Sequence, residues 1–181
     1  MRQWQKLLLA LAVLPVALVA FATFYLVRYS MDRAEPFVTN NPNEDEHVLI
    51  ATQGSAFKDA VVRDVAARLA KRPAYVKVID VSSLSEVREP EWNAIVVLHT
   101  WEMSKAPEPV KTFVDRVQDR DKLVVLATSG DGDQHIAGVD TITSASDVAK
   151  AGERADAIVV RVEKVLASRS PRSQHFFHHA P

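Results

Sequence analysis

The sequence has no cysteine, which removes disulfides, thiolate nucleophiles, iron–sulfur clusters and cysteine-ligated zinc. That absence does not say on which side of a membrane the chain resides. Excess charge is missing too: the formal net charge is −1, so no basic field exists to hold a nucleic-acid backbone, and nucleic acid is not an expected partner. Internal repeats and low-complexity tracts are absent. What remains is 181 residues, 48% hydrophobic and 25% charged, which fits one globular domain with an appendage and not a long multidomain enzyme.

The appendage is N-terminal. Residues 7–27 hold no charge, and as a helix these 21 positions extend roughly 30 Å, the thickness of a bilayer hydrocarbon core. Trp4, Tyr25 and Tyr29 flank the run like an interfacial aromatic belt, and Arg2, Lys6, Arg28 and Arg33 hold its ends in water. A cleaved signal peptide is the alternative, since Ala20, Phe21 and Ala22 have the small-x-small form. The apolar run continues past them and exceeds an ordinary signal core, so residues 1–29 are expected to be an uncleaved transmembrane anchor. Pro15 should kink that helix. Lysines and arginines tie at two on each flank, and the terminal amine tilts the balance slightly toward an extracytoplasmic domain. The expectation is a single-pass protein of a bacterial inner membrane, with the bilayer as a partner. Residues 30–46, "SMDRAEPFVTNNPNEDE", read as a linker with no fold of its own.

From residue 47 two periods alternate. "HVLIAT" is a short apolar run, followed by Phe57, Val61, Val62, Val65 and Leu69 on one helical stripe. "AYVKVIDV" returns to strand with polar Lys77 inside it, as at an edge, and "NAIVVLHT" is apolar on both faces, as a central parallel strand should be. Pro107 opens a helix bearing Val110, Phe113, Val114 and Val117. "KLVVLAT" and "DTIT" are further strands, and Val148, Ala151, Ala155, Ile158, Val159, Val162 and Leu166 stripe a last helix. Such alternation implies a parallel sheet between helical layers, with five strands in the order 2-1-3-4-5. Residues 169–181 read as a disordered tail, and its His175, His178 and His179 lack the company a metal needs.

Three stretches at strand ends carry a resemblance. "ATQGSAFKDA" resembles the hydroxyl-rich phosphate loop of the flavodoxins, "HTWEMSKAPEPVKTF" resembles their Thr-Trp-Gly loop, and "ATSGDGDQH" resembles their Gly-x-Gly-Asp loop. The similarity covers residues 47–168 and implies a flavodoxin-like three-layer α/β/α domain. It also implies FMN, with the phosphate at Thr52, Gln53, Gly54, Ser55 and Ala56, and the ring at Thr100, Trp101, Glu102, Ser129, Gly130 and Asp131. Such a site needs helix N–H donors and small residues for the phosphate, and a flat apolar surface for the ring.

The departures fall on the same rim. Gln53 and Ala56 stand where the family has hydroxyls, so a phosphate would lose two hydrogen bonds. Glu102 brings a carboxylate toward a ring whose reduced form is anionic. No tyrosine occurs in the third loop, where His135 is the nearest aromatic, and only about eleven residues separate the last two strands, so the family's fourth helix is expected to be shortened or missing. Each residue also has a plain structural role open to it. Trp101 fills the crevice as a plug or contacts a cofactor; Gly54 marks a turn or a phosphate seat. Asp131 and Asp133 are turn residues or, less simply, cation ligands; Asp80 caps a turn; His99 is a satisfied core residue more readily than an acid–base catalyst. No metal site and no nucleophile–base pair stands out. Two functions follow: FMN-dependent electron transfer or quinone-type reduction at a membrane beside a redox partner, or a flavin-free flavodoxin-like module for protein–protein contact there.

Overall fold

A computed structural model of the chain describes residues 3–29, 32–102, 105–129, 136 and 138–169, with the side chains of residues 5–10 and 25–29 outside the description. It divides into two units, Met1–Met31 and Asp32–Pro181. In the first, α1 (Gln3–Tyr29) is a single helix containing Pro15. Its described apolar side chains, among them Leu11, Leu14, Leu18, Phe21 and Phe24, are exposed. Among the described residues no helix is long and apolar enough to cross a membrane. The expected spanning segment is therefore present as a helix and not shown as a span: the charge-free run begins and ends in side chains outside the description.

The second unit is one sheet with helices on both faces. In chain order it runs β1 (Asp32–Arg33), β2 (Phe37–Thr39), β3 (Glu46–Gly54), α2 (Ala56–Leu69), β4 (Ala74–Asp80), β5 (Ala94–Thr100), α3 (Glu108–Arg116), β6 (Leu123–Thr128), β7 (Asp140–Ser144) and α4 (Ala151–Arg169). The parallel strands lie in the order β4-β3-β5-β6-β7, which is the expected 2-1-3-4-5 order. Consecutive residues of β3 and β5 are buried on opposite faces. Val48, Ile50, Val96 and Leu98 pack under α2 and α4, while Leu49, Ala51, Ile95 and Val97 pack under α3. Continuous apolar runs are what a sheet covered on both faces requires.

The sheet has seven strands, not five. The segment read as a linker supplies the other two: β1 pairs antiparallel with the end of β3, and β2 pairs antiparallel with β4. Two side chains fasten it. Asp80 Oδ2 accepts the Ala34 N–H at 2.9 Å, and Asn40, with φ at 62°, donates its Nδ2 to the carbonyls of Arg72 and Ala74 at 3.0 and 2.9 Å. Asparagine is among the few residues that tolerate that backbone. So β4 is not an edge. Lys77 is exposed because its face lies open: two 3₁₀ turns, Val81–Glu86 and Glu89–Glu91, join β4 to β5 in place of a helix. Asp80 does cap the first of these, its Oδ1 accepting the Ser82 N–H at 2.9 Å. Residues 129–139 join β6 to β7, with no helix among those described. Gly152 sits within α4 without ending it, and Val148 lies in a 3₁₀ turn before α4, exposed.

Candidate functional site

Ligands of open α/β sheets sit outside the carboxyl ends of the strands. Here β3 does not stop at Thr52. It runs on through Gln53 to Gly54, because β1 offers it a partner, with Asp32 opposite Gly54 and Arg33 opposite Gln53. A Cβ on Gly54 would lie 2.7 Å from the Arg33 carbonyl oxygen and 2.8 Å from that of Asp32. Glycine is required there by the chain's own backbone. Ser55 is the N-cap of α2, its Oγ accepting the Lys58 N–H at 3.2 Å, and Ala56 opens the helix exposed to solvent.

Behind that turn the crevice is filled by polar side chains bonded to one another. Gln53, nearly buried, accepts the Thr100 N–H on Oε1 at 2.7 Å and donates Nε2 to Glu102 Oε1 at 3.1 Å. Lys58 is fully buried and donates Nζ to Thr100 Oγ1 at 2.7 Å. Thr100 Oγ1 lies 2.9 Å from Thr128 Oγ1, and Thr128 donates to the His99 carbonyl at 3.3 Å. Strand register lines up Thr100, Thr128 and Ser144 across β5, β6 and β7, and Arg154 donates Nε to Ser144 Oγ at 3.1 Å. Burial lowers the Lys58 pKa to about 8, against the opposing pull of Asp59 and Glu102.

The residues on either side of Thr100 lie toward α3. His99 is fully buried, and neither ring nitrogen makes a hydrogen bond of ordinary geometry. Burial lowers its pKa to about 4, with the Thr100 backbone opposing and the Lys58 charge adding to the shift. It is a core residue, as expected, though the Thr100 backbone satisfies its ring only weakly. Trp101 donates its backbone N–H to the Thr128 carbonyl at 2.8 Å, and its half-buried ring packs on the α3-side cluster with Ile136 and Val139. The ring centre is 5.9 Å from that of His99, and Trp101 Nε1 is buried without a partner. Glu102 exchanges backbone hydrogen bonds with Lys105 at 2.9 and 3.0 Å, and the Ser129 N–H reaches the Ser144 carbonyl at 3.3 Å.

The structure thus brings Gln53, Thr100 and Glu102 into direct contact and places Thr52, Gly54, Ser55, Ala56, Trp101 and Ser129 around them. Gly130, Asp131, Asp133 and His135 lie outside the described residues, as do the tail histidines. Lys58 is the residue sequence reasoning missed. Its signal was its position, on the buried stripe of α2 with Val61, Val62, Val65 and Leu69. Among the described residues no group of three or more histidines and carboxylates is placed to hold a metal. A cleft of about 890 Å³ opens at the far end of the sheet, between Arg120, Gly138, Asp140, Val160 and Lys164.

As folded, these residues do not fit an FMN phosphate. Such a group needs backbone N–H donors converging from a curled turn. Residues 52–54 are extended and buried, Gly54 is covered by β1, and the Ser55 hydroxyl is spent on its own helix.

No family model and no curated protein matches this chain. Solved structures resemble it. The metal-soaked flavodiiron core from Synechocystis sp. PCC6803 matches with a TM-score of 0.53 at 13% identity, over 70% of this chain and 38% of that one. A flavodoxin from the domain Archaea matches with a TM-score of 0.44 at 16% identity, over 66% and 98% of the two chains. An oxidoreductase from Corynebacterium diphtheriae gives 0.41 at 14% identity, over 69% and 99%. This chain spans under two-fifths of the flavodiiron core. At such identities the likeness concerns the fold alone, and the fold is flavodoxin-like α/β with a mostly parallel sheet.

Proposed function

We propose that this chain is a flavodoxin-like module that works without flavin, as a protein-binding unit held at a membrane by its N-terminal helix. One observation carries the first half: β1 lies against Gly54, with the Arg33 carbonyl 2.7 Å from where a Cβ would be. The seat that the resemblance assigns to a phosphate is taken by backbone, and the Gln53 to Glu102 hydrogen bond ties the first loop to the second across the ring's approach. Side chains engaged with one another in this way support binding as the use of the fold. The test is to titrate the purified full-length chain with FMN and follow flavin fluorescence. Quenching that saturates at micromolar FMN would restore the other reading, FMN-dependent electron transfer to a redox partner, which the flavodoxin-like fold and the three loops support.

Membrane attachment is the second half. It rests on the charge-free residues 7–27 and on the exposed apolar side chains of α1, such as Leu11, Leu14, Val16, Leu18 and Phe21. Burial of that surface in lipid is favourable. Carbonate extraction of membranes containing the full chain tests it: release into the supernatant would defeat the anchor. A C-terminal reporter fusion fixes the side, and crosslinking in those membranes identifies the binding partner.

A further inference from the structure

Buried polar atoms almost always find partners, and an exception asks for an explanation. Three such exceptions meet at one place. His99 Nδ1, His99 Nε2 and Trp101 Nε1 are all buried, none makes a hydrogen bond of ordinary geometry, the Thr100 backbone gives the His99 ring only a weak contact, and the two rings lie 5.9 Å apart with their planes inclined by 52°. Their solvation has been given up with little hydrogen bonding returned, so any motion that wets them is favoured relative to ordinary core opening. Trp101 alone is placed to make that motion. His99 is inside the sheet, whereas Trp101 is half-exposed at the mouth of the crevice. Its backbone is pinned by the N–H bond to the Thr128 carbonyl at 2.8 Å, which leaves side-chain rotation as the free coordinate.

We propose that Trp101 is a latch over His99: rotation of its ring out of the α3-side cluster wets all three nitrogens and opens a His99-lined cavity at the carboxyl end of β5. The latch is acid-sensitive, and the groups facing it fix the sign. Lys58 approaches from α2, and its charge disfavours a proton on His99. Glu102 follows β5 and is held by Gln53, the neutral group from β3. Ala127 is the β6 neighbour, and the buried face of α3 is Val110, Phe113 and Val114. No carboxylate among these is bonded to His99, so a proton there is resisted while the latch is closed. With a closed-state pKa of about 4 and an open-state value near the ordinary 6.5, the closed state binds fewer protons. Closure is therefore fully favoured above pH 6.5 and is lost as pH falls toward 4.

The experiment is hydrogen exchange at the Trp101 indole N–H, followed by NMR on the full chain and assigned with Trp101→Phe. After correction for the intrinsic rate, protection is expected to fall about twentyfold between pH 7 and pH 5, the ratio the two His99 pKa values imply. His99→Leu removes two of the orphaned nitrogens, so protection in that variant should rise and lose its pH dependence. Equal protection at pH 7 and pH 5, or an unchanged fall in His99→Leu, overturns the latch. Should His99→Leu fail to fold, titration of the His99 ring decides: a midpoint well below 6.5 in the native chain that rises toward 6.5 in Trp101→Ala supports the latch, and a midpoint that Trp101→Ala leaves unchanged refutes it.

Discussion

Gln53 and Glu102 join the ends of two neighbouring strands, Nε2 to Oε1 at 3.1 Å, while the same glutamine receives the Thr100 N–H on its other amide atom at 2.7 Å. A residue that stands in place of a loop hydroxyl has become a strut. Gln53→Ala should therefore leave the Thr100 N–H without its partner and lower the unfolding free energy by about 2 kcal/mol, the cost of an unmet buried donor. Denaturant unfolding measures this. A midpoint equal to the wild type would mean the strut carries no load.

Gly54→Ala places a methyl 2.7 Å from the Arg33 carbonyl, a backbone atom that cannot step aside without moving β1. A loss of about 1–3 kcal/mol is expected, as for overpacking. Amide exchange at Ala34, whose N–H is held by Asp80, should accelerate with it. Faster exchange there is the signature of β1 lifting.

Lys58 provides the pH dependence at the alkaline end. Its folded pKa of about 8 lies below the ordinary 10.5, so between those values the unfolded chain binds more protons than the folded one. Stability should be greatest above pH 10.5, decline as pH falls toward 8, and then level off. Lys58→Met should flatten that segment of the profile in urea melts and, by removing a buried ammonium, leave stability at pH 7 equal or higher. A wild-type profile already flat from pH 8 to 10.5 would contradict the burial of the charge.

Trp101→Ala should lower stability by roughly 3 kcal/mol, as when a large core side chain is truncated. Thermal or denaturant unfolding of the variant reads it directly. A ring that merely waited for a ligand would be removed at little cost.

Much of this was legible in the sequence because period and burial coincide. Val48, Ile50 and their neighbours Leu49 and Ala51 fill both faces of β3, so an unbroken apolar run correctly reads as a central strand. The stripe from Phe57 to Leu69 likewise gave α2 its buried face, and Lys58 on that same face is a signal that apolar periodicity alone passes over. The two added strands were illegible for a different reason. β1 is two residues long and β2 three, too short for any period, and each exists through a distant partner: Arg33 opposite Gln53, Phe37 opposite Val78. The covering of Gly54 depends on the first of those pairings, so no local pattern announces it. Gln53 read as a missing hydroxyl for the same reason, since its partners Thr100 and Glu102 lie on another strand.

The central claim is that the chain's own backbone and side chains occupy the place of a flavin. Fluorescence titration of FMN with the purified full-length chain tests it most directly. The account predicts flavin emission unchanged up to micromolar protein, in the wild type and in Trp101→Ala alike. Saturable quenching by the wild type, lost in Trp101→Ala, would contradict it.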